Sequence, residues 1–287
     1  MAAKLPLSET KVQALFGSLS ETQREAICFP FDHNLRERVE NNWHITKMRI
    51  DTHFSSEQRV LLDEIFDGLH SERYQKRVRR QVADDSEEED GLGSCAVAIF
   101  GEPGSGKFEF VLTGRHITRR CDGDSVEGAA FGGPIFYGHA PNFKEKPDHP
   151  GNVYWFQGKR ANTLFQALDG KQREIALVTD PPRERGTKTV ELGGKRVGIP
   201  VEALSSDQKE LARAVMGDLL LPFREADAAE AMRLIEARGF DALSFSYFKD
   251  KDIGEDGVWD VWMVEGPAMR WYFRGWPHVH TWVHIRA

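Results

Sequence analysis

Apolar positions fall at helical spacing through most of the first eighty residues. Val60, Leu61, Ile65, Phe66 and Leu69 line one face of a helix. That run opens with Ser55-Ser56-Glu57-Gln58-Arg59, and the same Ser-x-x-Gln-base signature recurs at Ser20–Arg24 and, with Lys209 as the base, at Ser205–Lys209. Asp169-Gly170-Lys171-Gln172-Arg173 is a looser fourth copy. Each is a capping box: the Ser or Asp oxygen accepts from the third helical amide, and the Gln side chain reaches back to the capping amide. They mark helix starts rather than catalytic elements, and their irregular separations argue against a solenoid. The pattern predicts helices over 8–18, 20–29, 55–69 and 71–82.

Asp84, Asp85, Glu87, Glu88, Glu89 and Asp90 then crowd together. Like charges so dense repel, which predicts a solvated acidic loop over 84–93 after a helical part spanning 1–83. From residue 95 the period changes to two. Cys95–Phe100 reads as a short strand, and Lys107–Arg120 alternates with Phe108, Phe110 and Leu112 on one face. Further strands are expected near 126–138 and 152–158. Helices follow near 205–221 and 227–238, and strands over 242–248, 258–264, 269–274 and 278–285. Residues 94–287 thus form a β-rich part with inserted helices. No linker rich in Pro, Gly and Ser divides the chain. The expected fold is α+β, a single domain with N-terminal helices packed on a mainly antiparallel sheet.

Composition narrows the partners. The 287 residues carry a formal net charge of −7, so no general basic field draws in nucleic acid. Cys28, Cys95 and Cys121 are too far apart for a CxxC pair and odd in number, which predicts inert thiols in a reducing, cytoplasmic setting. No signal-like start and no apolar run of about 20 residues suggest a membrane.

Gly101-Glu102-Pro103-Gly104-Ser105-Gly106-Lys107 has the spacing of a phosphate-binding P-loop. Two features contradict that chemistry. Phe108 stands where a magnesium-binding Ser or Thr belongs, and an alternating run follows where a helix should begin. The segment reads as a hairpin turn, and no nucleotide is expected.

The closing segment carries His278, His280, Trp282 and His284 at every second position. On a strand these share one face, about 6.5–7 Å apart. Two such imidazoles can converge on one ion when a third ligand comes from elsewhere. His116, in the alternating run after the turn, is the candidate third ligand, and a carboxylate, Asp260 or Glu265, is an alternative fourth. The bland alternative is a half-buried sheet surface whose imidazoles bond to backbone carbonyls. Trp262, Trp271, Trp276 and Trp282 read as core rather than as pocket lining. His33, His44, His53, His70, His139 and His149 sit in dissimilar contexts and read as surface or structural residues.

Several short segments resemble, in order, the family catalogued as domain of unknown function 3500. They are Leu19-Ser20-x-x-Gln23-Arg24, Phe29-Pro30-Phe31-Asp32, Trp43, Arg49, the second Ser-x-x-Gln-Arg helix, Phe100-Gly101-Glu102-Pro103, Gly114-x-His116, Glu265-Gly266-Pro267 and Pro277-His278-Val279-His280. The resemblance supplies a template and not a reaction. Its pattern has Gly-His-His near the middle and His-Ile-His near the end, which implies that several histidines meet. Here the first becomes Gly114-Arg115-His116, and two further polar positions of the pattern become Val111 and Met263. The functional expectation is an enzyme acting on a small molecule through one divalent ion (zinc, iron or copper), held by His116, His278, His280 and Asp260. The competing expectation is a non-catalytic protein that binds a ligand or partner and whose histidines are structural.

Overall fold

The computed structural model describes residues 7–86, 91–139, 153–249 and 259–287. All four Gln signatures cap helices, and in each the Gln side chain closes the box. The first half runs α1 (Leu7–Ser18), α2 (Glu21–Ile27), β1 (Cys28–Phe29), α3 (Ile50–His53), α4 (Ser56–Gly68), α5 (Glu72–Ser86), β2 (Ala96–Gly101), β3 (Phe108–Gly114), β4 (Ile117–Cys121) and β5 (Ile135–His139). The second runs α6 (Trp155–Gln166), α7 (Gly170–Ala176), β6 (Leu177–Val178), β7 (Ile199–Pro200), α8 (Ser206–Leu220), α9 (Glu225–Ala237), β8 (Ser244–Phe248), β9 (Val261–Glu265), β10 (Met269–Arg274) and β11 (Val279–Ile285).

These strands make one eleven-stranded sheet in the order β1-β2-β3-β4-β5-β11-β10-β9-β8-β6, with β7 also on β8. Only β1–β2 and β6–β8 are parallel, so the mainly antiparallel α+β expectation holds. The order is symmetric about the β5–β11 seam, and the two halves repeat the same succession of elements except that α3 of the first stands where the second has β7. The repeat reaches side chains. Arg24 lies over the Phe16 ring and Arg173 over the Phe165 ring. Gln23 and Gln58 exchange amide hydrogen bonds of 2.8 and 2.9 Å, as Gln172 and Gln208 do at 2.9 and 2.7 Å. The four signatures are therefore two pairs, each pair bolting two helix starts together.

Alternation along the strands divides the core. Val97, Ile99, Phe110, Leu112, Tyr137, Trp271, Phe273 and Val283 face the helices, in a cluster with Leu62, Phe66, Val78, Leu164 and Leu219. On the opposite face Phe136, Met263, Tyr272 and Trp282 pack beneath Val39 and Val190, and Ala98, Phe100 and Val111 beneath Ile45, Phe29 and Trp43. Among the described residues, connecting segments and the edge strand β1, not α-helices, cover that face. Trp262, Trp271 and Trp282 are core, whereas Trp276 is half exposed.

Four expectations change. Helix α5 continues to Ser86, so Asp84 and Asp85 are helical rather than loop; residues 87–90 lie outside the described ones. Tyr74, Val78, Gln81, Val82 and Asp85 form one buried stripe, and the helix persists because that stripe does. The run 107–120 is a hairpin, not one strand: β3 and β4 pair, and the chain reverses at Arg115-His116. The segment 152–158 contains a helix start, because Trp155, Ala161, Leu164 and Phe165 repeat at helical spacing once the whole run is seen. Only 135–139 of the segment 126–138 and its neighbour is strand; a short 3-10 turn occupies Ala130–Gly132.

The P-loop-like segment closes the β2–β3 hairpin: Gly101 pairs with Phe108, and Glu102 N donates to Lys107 O at 3.1 Å. A strand follows it where a P-loop has a helix. Cys95 and Cys121 are buried, Cys28 is partly so, and all three are free. No helix among the described residues is long and apolar enough to cross a membrane.

Candidate metal centre

Sheet pairing at the seam assembles the histidines. His280 on β11 stands opposite Gly138 on β5, and the Gly138 amide donates to the His116 carbonyl at 3.1 Å. His116 in the β3–β4 turn, Gly138 on β5 and His280 on β11 thus form a row. His116 occupies the β3–β4 turn with φ 54°, a left-handed backbone that is uncommon for a residue with a Cβ. Its amide donates to Asn41 O at 3.0 Å, which helps hold that conformation. The row requires glycine in the middle: a Cβ at 138 would lie 2.3 Å from Val279 O and 3.5 Å from the His116 Cβ.

The ring centroids of His116 lie 4.9 Å from His278 and 5.0 Å from His280, and those of His278 and His280 lie 4.6 Å apart. One ligand nitrogen from each of the three lies within 4.8 Å of the others, so the cluster is close enough to hold a single ion. His116 and His280 are buried, and His278 forms the more open side.

Behind two of the rings stand carboxylates. His116 Nδ1 lies 3.2 Å from Asp85 Oδ2, and His280 Nδ1 lies 2.7 Å from Glu184 Oε2. Glu184 also accepts from Arg274 Nε at 2.5 Å, and Arg274 is the cross-strand neighbour of His280. A carboxylate only accepts, so His280 carries its hydrogen on Nδ1 and presents a lone pair at Nε2. The 2.9 Å contact between the His278 and His280 Nε2 atoms is then a hydrogen bond donated by His278.

Burial, reinforced by the neighbouring imidazoles, pushes His278 down to about 3. Burial also takes His280 down to about 4, outweighing the help it receives from Glu184. Both rings are neutral at pH 7, the form that ligates metals. Burial alone would raise Glu184; its bonds to His280 and Arg274 outweigh that and hold it below the usual carboxylate range.

Asp260 and Glu265 are not part of the cluster. Val261 pairs with Arg274, which pairs with His280, so residue 261 shares the histidine face and Asp260 falls on the alternate one. Glu265 sits at the far end of β9, bonded to Arg270 at 2.9 Å and to the Val197 amide at 3.2 Å. His284 shares the strand face but bonds to Val190 O at 3.2 Å. His149 lies outside the described residues.

Asp85, Glu184 and His139 are the neighbours that sequence reasoning missed. His139 is fully buried, with its Nδ1 3.8 Å from Asp85 Oδ1. Asp85 did leave a signal, since it extends the helical stripe of Tyr74, Val78 and Val82. Glu184 left none, coming from an irregular segment beside Pro181 and Pro182. Among the described residues the second half of the fold shows no equivalent centre: the β9–β10 register sets Ala268 where β3–β4 has His116.

An α+β fold with one long sheet and three imidazoles at its central seam is the class of protein that these observations define. Over residues 7–284 the chain matches the family described as a protein of unknown function, DUF3500, and it belongs to that family. No curated protein and no solved structure matches it.

Proposed function

We propose that this protein is a metal-dependent enzyme acting on a small molecule, with one divalent ion held by His116, His278 and His280. One observation carries the reading: imidazoles from positions far apart in the chain converge, and two of them are braced by carboxylates, Asp85 buried and Glu184 partly so. Carboxylate behind imidazole is the usual support of a histidine ligand, because it sets the tautomer and the ring orientation. Three neutral ligands leave a divalent ion its full charge. A tetrahedral ion would also keep one position for water or substrate, where it acts as a Lewis acid or lowers the pKa of bound water. Imidazole suits zinc, iron and copper alike. The net charge of −7 favours a small-molecule substrate over nucleic acid, and three free thiols favour a reducing, cytoplasmic compartment.

The direct bond between His278 and His280 favours a second reading, in which the rings satisfy each other and serve only packing. Metal analysis of the purified protein separates the two. The enzyme reading expects close to one equivalent of bound metal per chain, lost in the His278→Ala, His280→Ala double variant. The structural reading expects the same trace content in both samples.

A further inference from the structure

A chain of buried polar side chains runs inward from the histidine centre. Asp85 Oδ2 accepts from Gln81 Nε2 at 2.7 Å, one turn back on α5. Gln81 Oε1 accepts from the Tyr154 hydroxyl at 3.4 Å, and that hydroxyl lies 3.5 Å from Arg119 Nη2. Arg119 Nε lies 2.9 Å from His70 Nε2, and His70 Nδ1 lies 2.8 Å from Phe66 O. Every member is buried, so each polar atom depends on the next for its hydrogen bonds.

The donor directions are determined at both ends. A guanidinium only donates, so Arg119 gives to Tyr154 and to His70. Burial raises the Tyr154 hydroxyl, which keeps its proton and donates a hydrogen bond to the Gln81 oxygen. The Gln81 amide nitrogen must then face Asp85, because a carboxylate only accepts. The dipoles therefore line up from Arg119 toward Asp85 and hold its Oδ2 in place as an acceptor for His116 Nδ1–H. With the hydrogen on Nδ1, His116 Nε2, on the other side of the ring from Asp85, keeps its lone pair.

We propose that Gln81, Tyr154 and Arg119 are positioning residues for the histidine centre. Acting through Asp85, they select the His116 tautomer whose Nε2 is open to an ion. The use of that lone pair by a metal rests on the enzyme reading above; the selection of the tautomer does not. The two links through Tyr154 are the longest in the chain, so Gln81 carries the larger share.

Two measurements test this on the full-length protein: ring 15N spectra of His116 in the metal-free state, and the dissociation constant for Co2+ by chelator competition. The variants are Gln81→Met and Tyr154→Phe, with Tyr247→Phe as control, a buried tyrosine off the chain that bonds to Ala161 O at 2.6 Å. Wild type is expected to show His116 protonated at Nδ1. Gln81→Met should give mixed tautomers and weaken Co2+ binding about tenfold or more, the effect usual for lost support behind a ligand. Tyr154→Phe should move both readouts the same way by less, and it carries the test if Gln81→Met does not fold. Tyr247→Phe should move neither. The proposal is overturned if wild-type His116 is protonated at Nε2, if the chain variants keep the wild-type tautomer, or if Tyr247→Phe matches them. A wild type that shows the expected tautomers but binds no Co2+ would remove the metal reading and leave the positioning chain standing.

Discussion

His278, just before β11, and His280, near its start, meet Nε2 to Nε2 at 2.9 Å. Two nitrogens bound to one tetrahedral ion at about 2.0–2.1 Å lie about 3.3 Å apart. An ion can therefore enter by opening this pair by a few tenths of an ångström, with the His278 hydrogen moving to its other ring nitrogen. In the metal-bound form proposed above, His116 would have to close the remaining gap.

Entry of an ion at this pair has a stability signature. Zn2+ or Co2+ at one hundred times its dissociation constant should add about 2.7 kcal/mol to unfolding. Thermal unfolding with and without a chelator measures it, and the increment should vanish in His278→Ala and in His280→Ala. An equal metal-dependent gain in both variants would mean that the ion binds elsewhere.

Gly138 is where the seam admits no side chain. In Gly138→Ala the new Cβ would fall 2.3 Å from Val279 O, so β5 and β11 must part. We expect about 2–4 kcal/mol of destabilisation in urea unfolding, in the range of overpacking and lost ladder bonds. Metal binding should weaken in the same variant, since His116 and His280 flank this residue.

The glutamine pairs should behave as units. Gln58 bonds to the Ser55 amide at 3.0 Å, to Ser18 O at 3.0 Å and to Gln23. Gln23→Ala and Gln58→Ala should each lower stability by about 1–2 kcal/mol. The double variant should fall short of their sum by about 1 kcal/mol, because each single change already removes the shared bonds. Additive losses would show that the pair does not couple.

Asp122 sets a pH dependence. Burial, with the negative charge of Glu109, Glu230 and Asp124 behind it, raises its carboxyl to about 7 even though it accepts from the Val126 amide. A group raised in the folded state stabilises fully below its ordinary value of 3.8, and that contribution is lost as pH rises through about 7. Asp122→Asn keeps an acceptor and cannot ionise. It should gain on wild type from about pH 4, levelling above about pH 7, by on the order of 2–3 kcal/mol. Urea unfolding of both proteins at pH 4 and pH 8 measures the difference; a constant gap would show an unshifted carboxyl.

Much of this fold was legible along the chain. The capping boxes named the starts of α2, α4, α7 and α8 because both halves of each box lie within four consecutive residues. The 269–274 strand was read with its exact limits, and the 278–285 strand within one residue, since alternation there is unbroken. Reading failed where a local rule met a distant partner. The acidic cluster suggested solvent, yet Asp85 is buried against His116. The alternation through 107–120 suggested one strand, but the reversal at Arg115-His116 depends on Asn41 and Gly138.

By itself the sequence determined the local grammar: which helices begin where, which strands alternate, and that His278 and His280 share a face. Those properties follow from bonds and sterics a few residues long. Only the tertiary structure decided that β5 pairs with β11, that Gly138 lets His116 approach, that Asp260 turns away, and that Asp85 and Glu184 brace the rings. Pairing between distant strands is set by burial of whole faces at once, and no single segment carries that information.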